Sequence, residues 1–246
     1  MPKYFLDKVD AQIGHVLQLD KSDPVFHHLK QVLRVRTGAQ IILCDGKSLD
    51  YHCTVKALDP LSLSLDSIHP CKTEPPCKIT LYQAIPKADK LEWIIQKAVE
   101  LGVYAIVPIY TEHAVIRPSR PGETKMARYQ KIAESAAGQS MRGIIPVVDA
   151  PMTWDEAFKS LPNVQFMLAA YEKEHQQTLK TILDEPPLSS LTDIGLWIGP
   201  EGGFSEKEVS AMTEAGFKFA GLGPRILRTE TAAIAALAQI MLMLER

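Results

Sequence analysis

The chain has 246 residues, of which 46% are hydrophobic and 23% are charged. This balance is typical of globular proteins and excludes a disordered, collagen-like or coiled-coil chain. Lys and Arg number 27 against 29 Asp and Glu, so the formal net charge is −2. Proteins that coat nucleic acid without specificity are usually clearly basic, and the total charge therefore argues against bulk coating. The length permits one large domain or two modest ones.

Cysteine use and hydropathy favour a cytoplasmic protein. The four cysteines form no C-x-x-C pair and have no histidines at zinc-finger spacing, so we predict free thiols and no metal site. The N-terminal segment has no apolar run of the kind that signal peptides carry. The most apolar segment, residues 231–244, lies between Glu230 and Glu245. It is too short to cross a bilayer, and we expect no membrane association.

Residues 1–70 are predicted to form a small β-barrel. Apolar runs at residues 15–19 and 40–44 indicate strands, and Asp45-Gly46 after the second is a turn signal. Residues 51–58 and 61–68 alternate apolar and polar side chains, and Asp59-Pro60 joins them as a predicted hairpin. One short helix opens at Asp23-Pro24, where proline suits the first helical position.

A proline-rich segment separates this region from a second one with a different pattern. Three prolines between residues 70 and 76 mark a linker, placed at residues 71–77. From residue 78 to 246, predicted strands and helices alternate, which indicates an α/β domain with a largely parallel sheet. The strands are predicted at 78–84, 104–109, 164–170, 194–198 and 217–222. Helices are predicted at 125–139 and 231–244, and after the capping boxes Asp89–Glu92 and Ser205–Glu208.

Two glycine-rich segments, residues 198–205 and 221–232, follow predicted strands. Ligands of open α/β sheets bind at the carboxyl ends of strands, and glycine lets the backbone approach a ligand closely. The two segments are therefore predicted to form the floor of a pocket. The sequence has no dinucleotide-binding G-x-G-x-x-G in these segments, no P-loop, no H-E-x-x-H and no G-x-S-x-G.

Residues 198–205 followed by 222–232 closely resemble the paired signature of SPOUT methyltransferases. More specifically, they are similar to the ribosomal small-subunit methyltransferase E family, which makes N3-methyluridine in 16S ribosomal RNA. The resemblance covers nearly the whole chain. Residues 28–34 resemble the family's N-terminal PUA-like RNA-binding barrel, and residues 90–102 resemble the first helix of its catalytic domain. The chain departs from the family pattern at Ser135 and Gly138, where two glutamates are usual, and at His113, where arginine is usual.

The resemblance implies a C-terminal trefoil-knotted α/β domain, with the knot around residues 195–235. It also implies a homodimer packed partly through the last helix, and S-adenosylmethionine bound in a bent form within the knot. The residues that the resemblance assigns to the cofactor pocket are Ala169, Ala170, Gly199, Pro200, Gly202, Gly203, Leu222, Gly223, Ile226, Leu227 and Thr229.

The chemistry of methyl transfer suggests three catalytic candidates. A sulfonium methyl group is already activated, so the enzyme must align donor and acceptor and needs no metal. Uracil N3 carries a proton at neutral pH, and a nearby cation would stabilise the anion that forms when the proton leaves. Arg228 is predicted for that role, and Glu201 or Glu230 orients groups or accepts the proton. Solvent water stays open as the acceptor, and a structural role near a helix N-terminus stays open for both glutamates.

Charge is distributed unevenly along the chain. Residues 1–146 carry 19 Lys and Arg against 15 Asp and Glu, whereas residues 147–246 carry 8 against 14. Phosphate contacts need a local basic patch rather than a basic total, so the RNA-binding face is predicted in the first 146 residues. A solvated helix face is the alternative for part of this charge. The predicted RNA contacts are Lys3, Arg34, Arg36, Arg117 and Arg142.

Two other functions stay open beside methylation of 16S ribosomal RNA or the small ribosomal subunit. One is a SPOUT enzyme that methylates another RNA, and the other is a non-catalytic RNA-binding module that keeps the fold. The intact glycine-rich segments and Arg228 oppose the second alternative, because a pocket without function is free to lose them. Binding of S-adenosylmethionine discriminates between an enzyme and a binding module.

Overall fold

A computed structural model of the chain describes residues 3–6, 12–114, 122–161, 164–184 and 191–245. The chain divides into two compact units. The first comprises residues 1–74 and 137–145, and the second comprises residues 75–136 and 146–246. The division falls within the predicted linker at 71–77. The assignment of residues 137–145 departs from the prediction, because they belong to the first unit although the predicted second domain spans residues 78–246.

The first unit contains five strands, β1 (Lys3–Phe5), β2 (Val16–Gln18), β3 (Gln40–Cys44), β4 (Leu49–Leu58) and β5 (Leu61–Pro70). They form one sheet in the order β1-β3-β4-β5-β2. Strands β1 and β3 are parallel, and the other pairs are antiparallel. The predicted hairpin is confirmed, because β4 and β5 pair down to Leu58 and Leu61.

The short helix of this unit forms where the sequence predicts it. Helix α1 (Pro24–His27) has Asp23 as its N-cap, and the Asp23 carboxylate accepts a hydrogen bond from the backbone N–H of Val25 at 2.7 Å. A π-helical turn (His28–Val32) follows it directly. Leu29 of this turn is fully buried in a core that β3, β4 and β5 supply with aliphatic side chains.

The strands of the second unit are β6 (Lys78–Ala84), β7 (Ala105–Tyr110), β8 (Val147–Val148), β9 (Met152–Thr153), β10 (Phe166–Ala170), β11 (Asp193–Ile198) and β12 (Lys218–Ala220). They form a parallel sheet in the order β12-β10-β11-β6-β7-β8, with β9 also paired to β7, which confirms the α/β prediction. The helices that follow α1 along the chain are α2 (Lys90–Glu100), α3 (Glu123–Gln139), α4 (Trp154–Lys159), α5 (Leu179–Asp184), α6 (Glu206–Glu214) and α7 (Thr229–Leu244). The short elements β8, β9, α4 and α5 were not predicted.

The core of the second unit centres on Trp197 of β11, which has no solvent exposure. Its ring stacks on Tyr82 of β6 with 4.5 Å between the ring centroids. Trp154 and Phe217 contact the same ring edge-on, an arrangement that aromatic pairs favour. The central strands are thereby fixed side by side. Among the described residues, no helix is long and apolar enough to span a membrane.

One of the two predicted capping boxes forms. The Ser205 hydroxyl accepts from the backbone N–H of Glu208, and the Glu208 carboxylate accepts from that of Ser205. The box predicted at Asp89 is wrong, because Asp89 has backbone angles of −86° and 17° and makes no side-chain cap. Its intended partner, Glu92, instead accepts a hydrogen bond from Arg128 at 2.8 Å.

Candidate active site

Three adjacent parallel strands end at the same level and define the site. Strand β10 lies between β12 and β11, and Ala170 at its end pairs with both Ala220 and Ile198. The segments that follow these strands therefore meet at one edge of the sheet, as carboxyl ends of parallel strands do. Here the segment after β11 (residues 199–204) is called the first loop, and the segment after β12 (residues 221–228) the second loop.

A cavity of about 310 Å³ lies between these loops, within the size range of small-molecule sites. Ten of the eleven predicted cofactor residues line it. The exception is Ala169, which is fully buried inside β10 and packs in the aromatic core. The ten that line the cavity are Ala170, Gly199, Pro200, Gly202, Gly203, Leu222, Gly223, Ile226, Leu227 and Thr229.

Glycine is required at two positions of the loops, by backbone conformation at one and by close packing at the other. Gly203 has a φ of +70°, and a Cβ there would stand 2.7 Å from Oε1 of Glu172. A Cβ on Gly221 would overlap the backbone carbonyl oxygen of Glu174. The Glu172 carboxylate ends a flexible side chain that can shift, so the positive φ is what requires glycine at Gly203, whereas the fixed backbone carbonyl requires it at Gly221.

A buried hydrogen-bond chain joins the two loops. The hydroxyl of Thr229, which follows the second loop, donates to the carbonyl oxygen of Gly199 in the first loop at 2.6 Å. The same hydroxyl accepts from the side-chain amide of Gln83, at the end of β6, at 2.9 Å. Thr229 was predicted as a cofactor residue. It lines the cavity, but its hydroxyl is engaged with the protein.

The three catalytic candidates lie in different surroundings. Arg228 is exposed at the N-cap of α7 and has no ion pair among the described residues, so its guanidinium is available. Glu201 lines the cavity. Glu230 lies in the first turn of α7, next to the lining residue Thr229, and does not itself line the cavity. Arg228 does not line the cavity either, but it lies between the lining residues Leu227 and Thr229, so the three candidates lie at or beside one pocket.

Both glutamates share a partner that sequence reasoning missed. The Lys90 ammonium lies 3.1 Å from Oε1 of Glu230 and 3.9 Å from Oε1 of Glu201. Burial opposes ionisation of Glu230, but a backbone hydrogen bond, Lys90 and Arg228 outweigh it and lower the pKa of this carboxyl. Glu230 is therefore ionised across the neutral range.

Two of the five predicted RNA contacts are buried ion pairs, and the prediction is wrong for them. Lys3 has no exposed side-chain surface and pairs with Asp50 at 2.5 Å. Burial alone would lower the pKa of Lys3, but the interactions with Asp50, Cys44 and Cys71 together outweigh it and raise the pKa. Arg142 is likewise buried and pairs with Glu74 at 2.6 Å. A cation held inside a protein by a carboxylate is not available to a phosphate.

The other predicted RNA contacts lie elsewhere or outside the described residues. Arg34 and Arg36 are exposed on the first unit, with Lys30 exposed nearby in sequence. Arg34 adopts a φ of +48°, which is uncommon for a residue with a side chain. Arg117 falls in residues 115–121, which are outside the described part of the chain.

Several lining residues were missed although a signal for them existed. The segment after β10 contributes four of them, and a predicted strand at 164–170 already implied that its carboxyl end borders the site. Gly221, Pro224 and Arg225 also line the cavity, and all three lie within the segment 221–232 that is predicted as its floor. The missed residues are Tyr171, Glu172, Glu174 and His175.

Comparisons with known proteins define the class. The profile of the RNA methyltransferase domain family matches residues 73–241, and that of the RNA methyltransferase PUA domain matches residues 22–66. The protein is therefore an RNA methyltransferase of the kind that carries a PUA domain.

The most informative relatives narrow this class. The ribosomal RNA small subunit methyltransferase E of Bacillus subtilis is 33% identical over 98% of this chain and 96% of its own length. The crystal structure of the corresponding Neisseria gonorrhoeae protein, bound to S-adenosyl methionine, has 33% identity and a TM-score of 0.85, covering 99% of this chain and 98% of that one. A Legionella pneumophila structure with bound cofactor SAM has 30% identity and a TM-score of 0.81, covering 97% and 96%. The chain belongs to the ribosomal RNA small subunit methyltransferase E family.

Proposed function

We propose that the protein transfers the methyl group of S-adenosylmethionine to N3 of a uridine in the 16S ribosomal RNA of the small subunit. The observation that carries this proposal is the cavity between the two glycine-rich loops at the carboxyl ends of β10, β11 and β12. The relatives support it further. The Bacillus subtilis protein is named for a small-subunit ribosomal RNA substrate, and the Neisseria gonorrhoeae protein was crystallised with S-adenosyl methionine.

The cavity suits this cofactor in size and in charge. Its volume of about 310 Å³ is appropriate to a ligand of this kind. Glu172, Glu174 and Glu201 line it together with one arginine, Arg225, and this excess of negative charge favours a ligand with a sulfonium and an ammonium group. Apolar atoms from Leu222 and Leu227 are available to the nucleoside portion. These residues would hold the cofactor together with the backbone of the two loops.

In this proposal the cofactor supplies an activated methyl group, and the protein supplies alignment and charge. The hydrogen-bond chain through Thr229 fixes the spacing of the two loops and thus the orientation of whatever lies between them. Arg228, exposed at the rim and without an ion pair among the described residues, stabilises the negative charge that develops on the uracil ring. The lowered pKa of Glu230 makes it a weak proton acceptor.

The remaining parts of the proposal concern the surroundings of the reaction. Exposed Arg34 and Arg36 of the PUA-containing unit contact RNA phosphates. The chain forms a homodimer partly through α7, where Leu242 is 66% exposed although it is apolar. The knot lies around residues 195–235, and the protein acts in the cytoplasm, where ribosomal subunits are assembled.

Deletion and complementation test the proposed function. Ribosomal RNA from a strain that lacks the gene should contain no N3-methyluridine, and the wild-type gene should restore it. The Arg228→Ala variant should bind S-adenosylmethionine normally in calorimetry but methylate about 100-fold more slowly, as expected for a lost charge-stabilising group. Retained N3-methyluridine in the deletion strain would reject the substrate. Normal turnover by Arg228→Ala would reject the role of that residue.

A further inference from the structure

One lysine bridges the two loops that form the cavity. Lys90 is the first residue of α2, and its ammonium contacts both carboxylate oxygens of Glu230, at 3.1 and 3.2 Å. The same ammonium lies 3.9 Å from Oε1 of Glu201, in the first loop. Glu230 is the second residue of α7 and lies two positions after the end of the second loop. A single cation outside the cavity lining thus connects the first loop with the end of the second.

The surroundings of this bridge make it stronger than an ordinary surface ion pair. The side chains of Lys90, Glu201 and Glu230 are only 33%, 27% and 16% exposed. The backbone N–H of Lys87 also donates to Oε1 of Glu201 at 3.3 Å, so the segment before α2 holds that carboxylate at a second point. Pairs that are partly removed from water are screened less and are worth more than exposed ones.

Without the lysine, the two carboxylates would face each other across the rim of the cavity. Like charges at close range repel, and the first loop and α7 would then be pushed apart. Of the described contacts between the loops, the hydrogen bond from the Thr229 hydroxyl to Gly199 would remain. The lysine therefore connects the two loops on the exposed side of the cavity, as the hydroxyl connects them on the buried side.

We propose that Lys90 is a positioning residue that holds the two loops at the spacing required by S-adenosylmethionine, acting through Glu201 and Glu230. The inference rests on the proposed function. It assigns both glutamates to the bridge, so neither accepts the proton from uracil N3, which passes to solvent water. Lys90 does not line the cavity, and its contribution is to the geometry of the residues that do.

Removal of the charge should weaken cofactor binding rather than RNA binding. Lys90→Gln should raise the Kd for S-adenosylmethionine about tenfold, the size expected for a partly buried ion pair. The KM for RNA should stay within about twofold, since the lysine acts on loop spacing only. Lys90→Arg keeps a cation in reach of both carboxylates and should retain affinity within about threefold of the wild type.

Lys97→Gln is the matched control. Lys97 lies on the same helix, is 35% exposed and pairs at 2.8 Å with Glu100, which is 27% exposed, but this pair stays within α2. Calorimetry with S-adenosylmethionine and steady-state methylation of small subunits are measured for each variant. Lys97→Gln should behave as wild type. Equal cofactor affinity in Lys90→Gln and Lys97→Gln would overturn the proposal.

A double-mutant cycle with Glu230→Gln separates positioning from a general loss of stability. If Lys90 acts through Glu230, the Lys90→Gln/Glu230→Gln double variant should bind the cofactor no more weakly than the worse single variant. If the increases in Kd caused by the two single substitutions multiply in the double variant, the proposal is overturned. If Lys90→Gln fails to fold, Glu230→Gln and Glu201→Gln must each weaken cofactor binding several-fold, or the proposal is refuted. A wild-type protein that does not bind S-adenosylmethionine would instead reject the proposed function itself.

Discussion

Replacement of Thr229 by valine removes the buried tie between the loops while keeping the shape of the side chain. Thr229 is only 4% exposed, and its hydroxyl donates to Gly199 and accepts from Gln83. Each such hydrogen bond contributes about 0.5 to 1.5 kcal/mol net, and a buried group left without a partner costs about 1 to 3 kcal/mol. Gln83 keeps its bond to the carbonyl oxygen of Ala84, so the loss falls mainly on Gly199. The expected loss of unfolding free energy is about 2 kcal/mol.

Calorimetry of unfolding measures this loss directly. For a chain of this size, about 2 kcal/mol corresponds to a decrease of roughly 4 to 8 °C in Tm. Thr229→Ser keeps the hydroxyl and should stay much closer to the wild type. The valine variant should also bind S-adenosylmethionine more weakly, because the loops lose their spacing. If it unfolds at the wild-type temperature yet no longer binds the cofactor, the hydroxyl is a direct cofactor ligand and the reasoning is refuted.

Three further predictions follow from the burial of particular groups. Arg142→Met leaves the Glu74 carboxylate without its buried cation, so the free energy of unfolding measured with denaturant should fall by about 3 to 5 kcal/mol. Arg36 is exposed, and Arg36→Met should change the free energy of unfolding by less than about 0.5 kcal/mol. Gly221→Ala should abolish cofactor binding in calorimetry because its methyl group meets the Glu174 carbonyl, while Gly122→Ala, with no neighbour within 4 Å among the described residues, should not. Burial raises the pKa of three thiols and keeps them neutral at about pH 8, so mass spectrometry after alkylation of the native protein should find them unmodified until the pH approaches those values. These thiols are Cys44 and Cys77, with a pKa of about 11, and Cys53, with about 12.

Local signals in the sequence predicted most of the elements and the floor of the site. Ser205 and Glu208 form their capping box because both partners lie three residues apart on one helix turn. The same spacing failed at Asp89 and Glu92, since Glu92 pairs with Arg128, which is 36 residues away. Glycine-rich loops are also local signals, because the missing Cβ is a property of each residue by itself.

Contacts between distant residues account for what the sequence did not predict. Lys3 and Arg142 look like surface cations in the sequence, and only the fold shows that Asp50 and Glu74 hold them in the interior. Lys90 gave no local signal either, since its partners lie 111 and 140 positions further along the chain. Pairings of this kind depend on which elements become neighbours, and periodicity carries no information about that.

Transfer of a labelled methyl group in a purified system tests the central claim most directly. The protein is incubated with methyl-labelled S-adenosylmethionine and with small ribosomal subunits from a strain that lacks the gene, and the digested RNA is analysed by mass spectrometry. The account predicts label in N3-methyluridine of the 16S RNA, at a rate that Arg228→Ala lowers about 100-fold. Label in a different nucleoside, or no transfer by a protein that binds the cofactor, would contradict it.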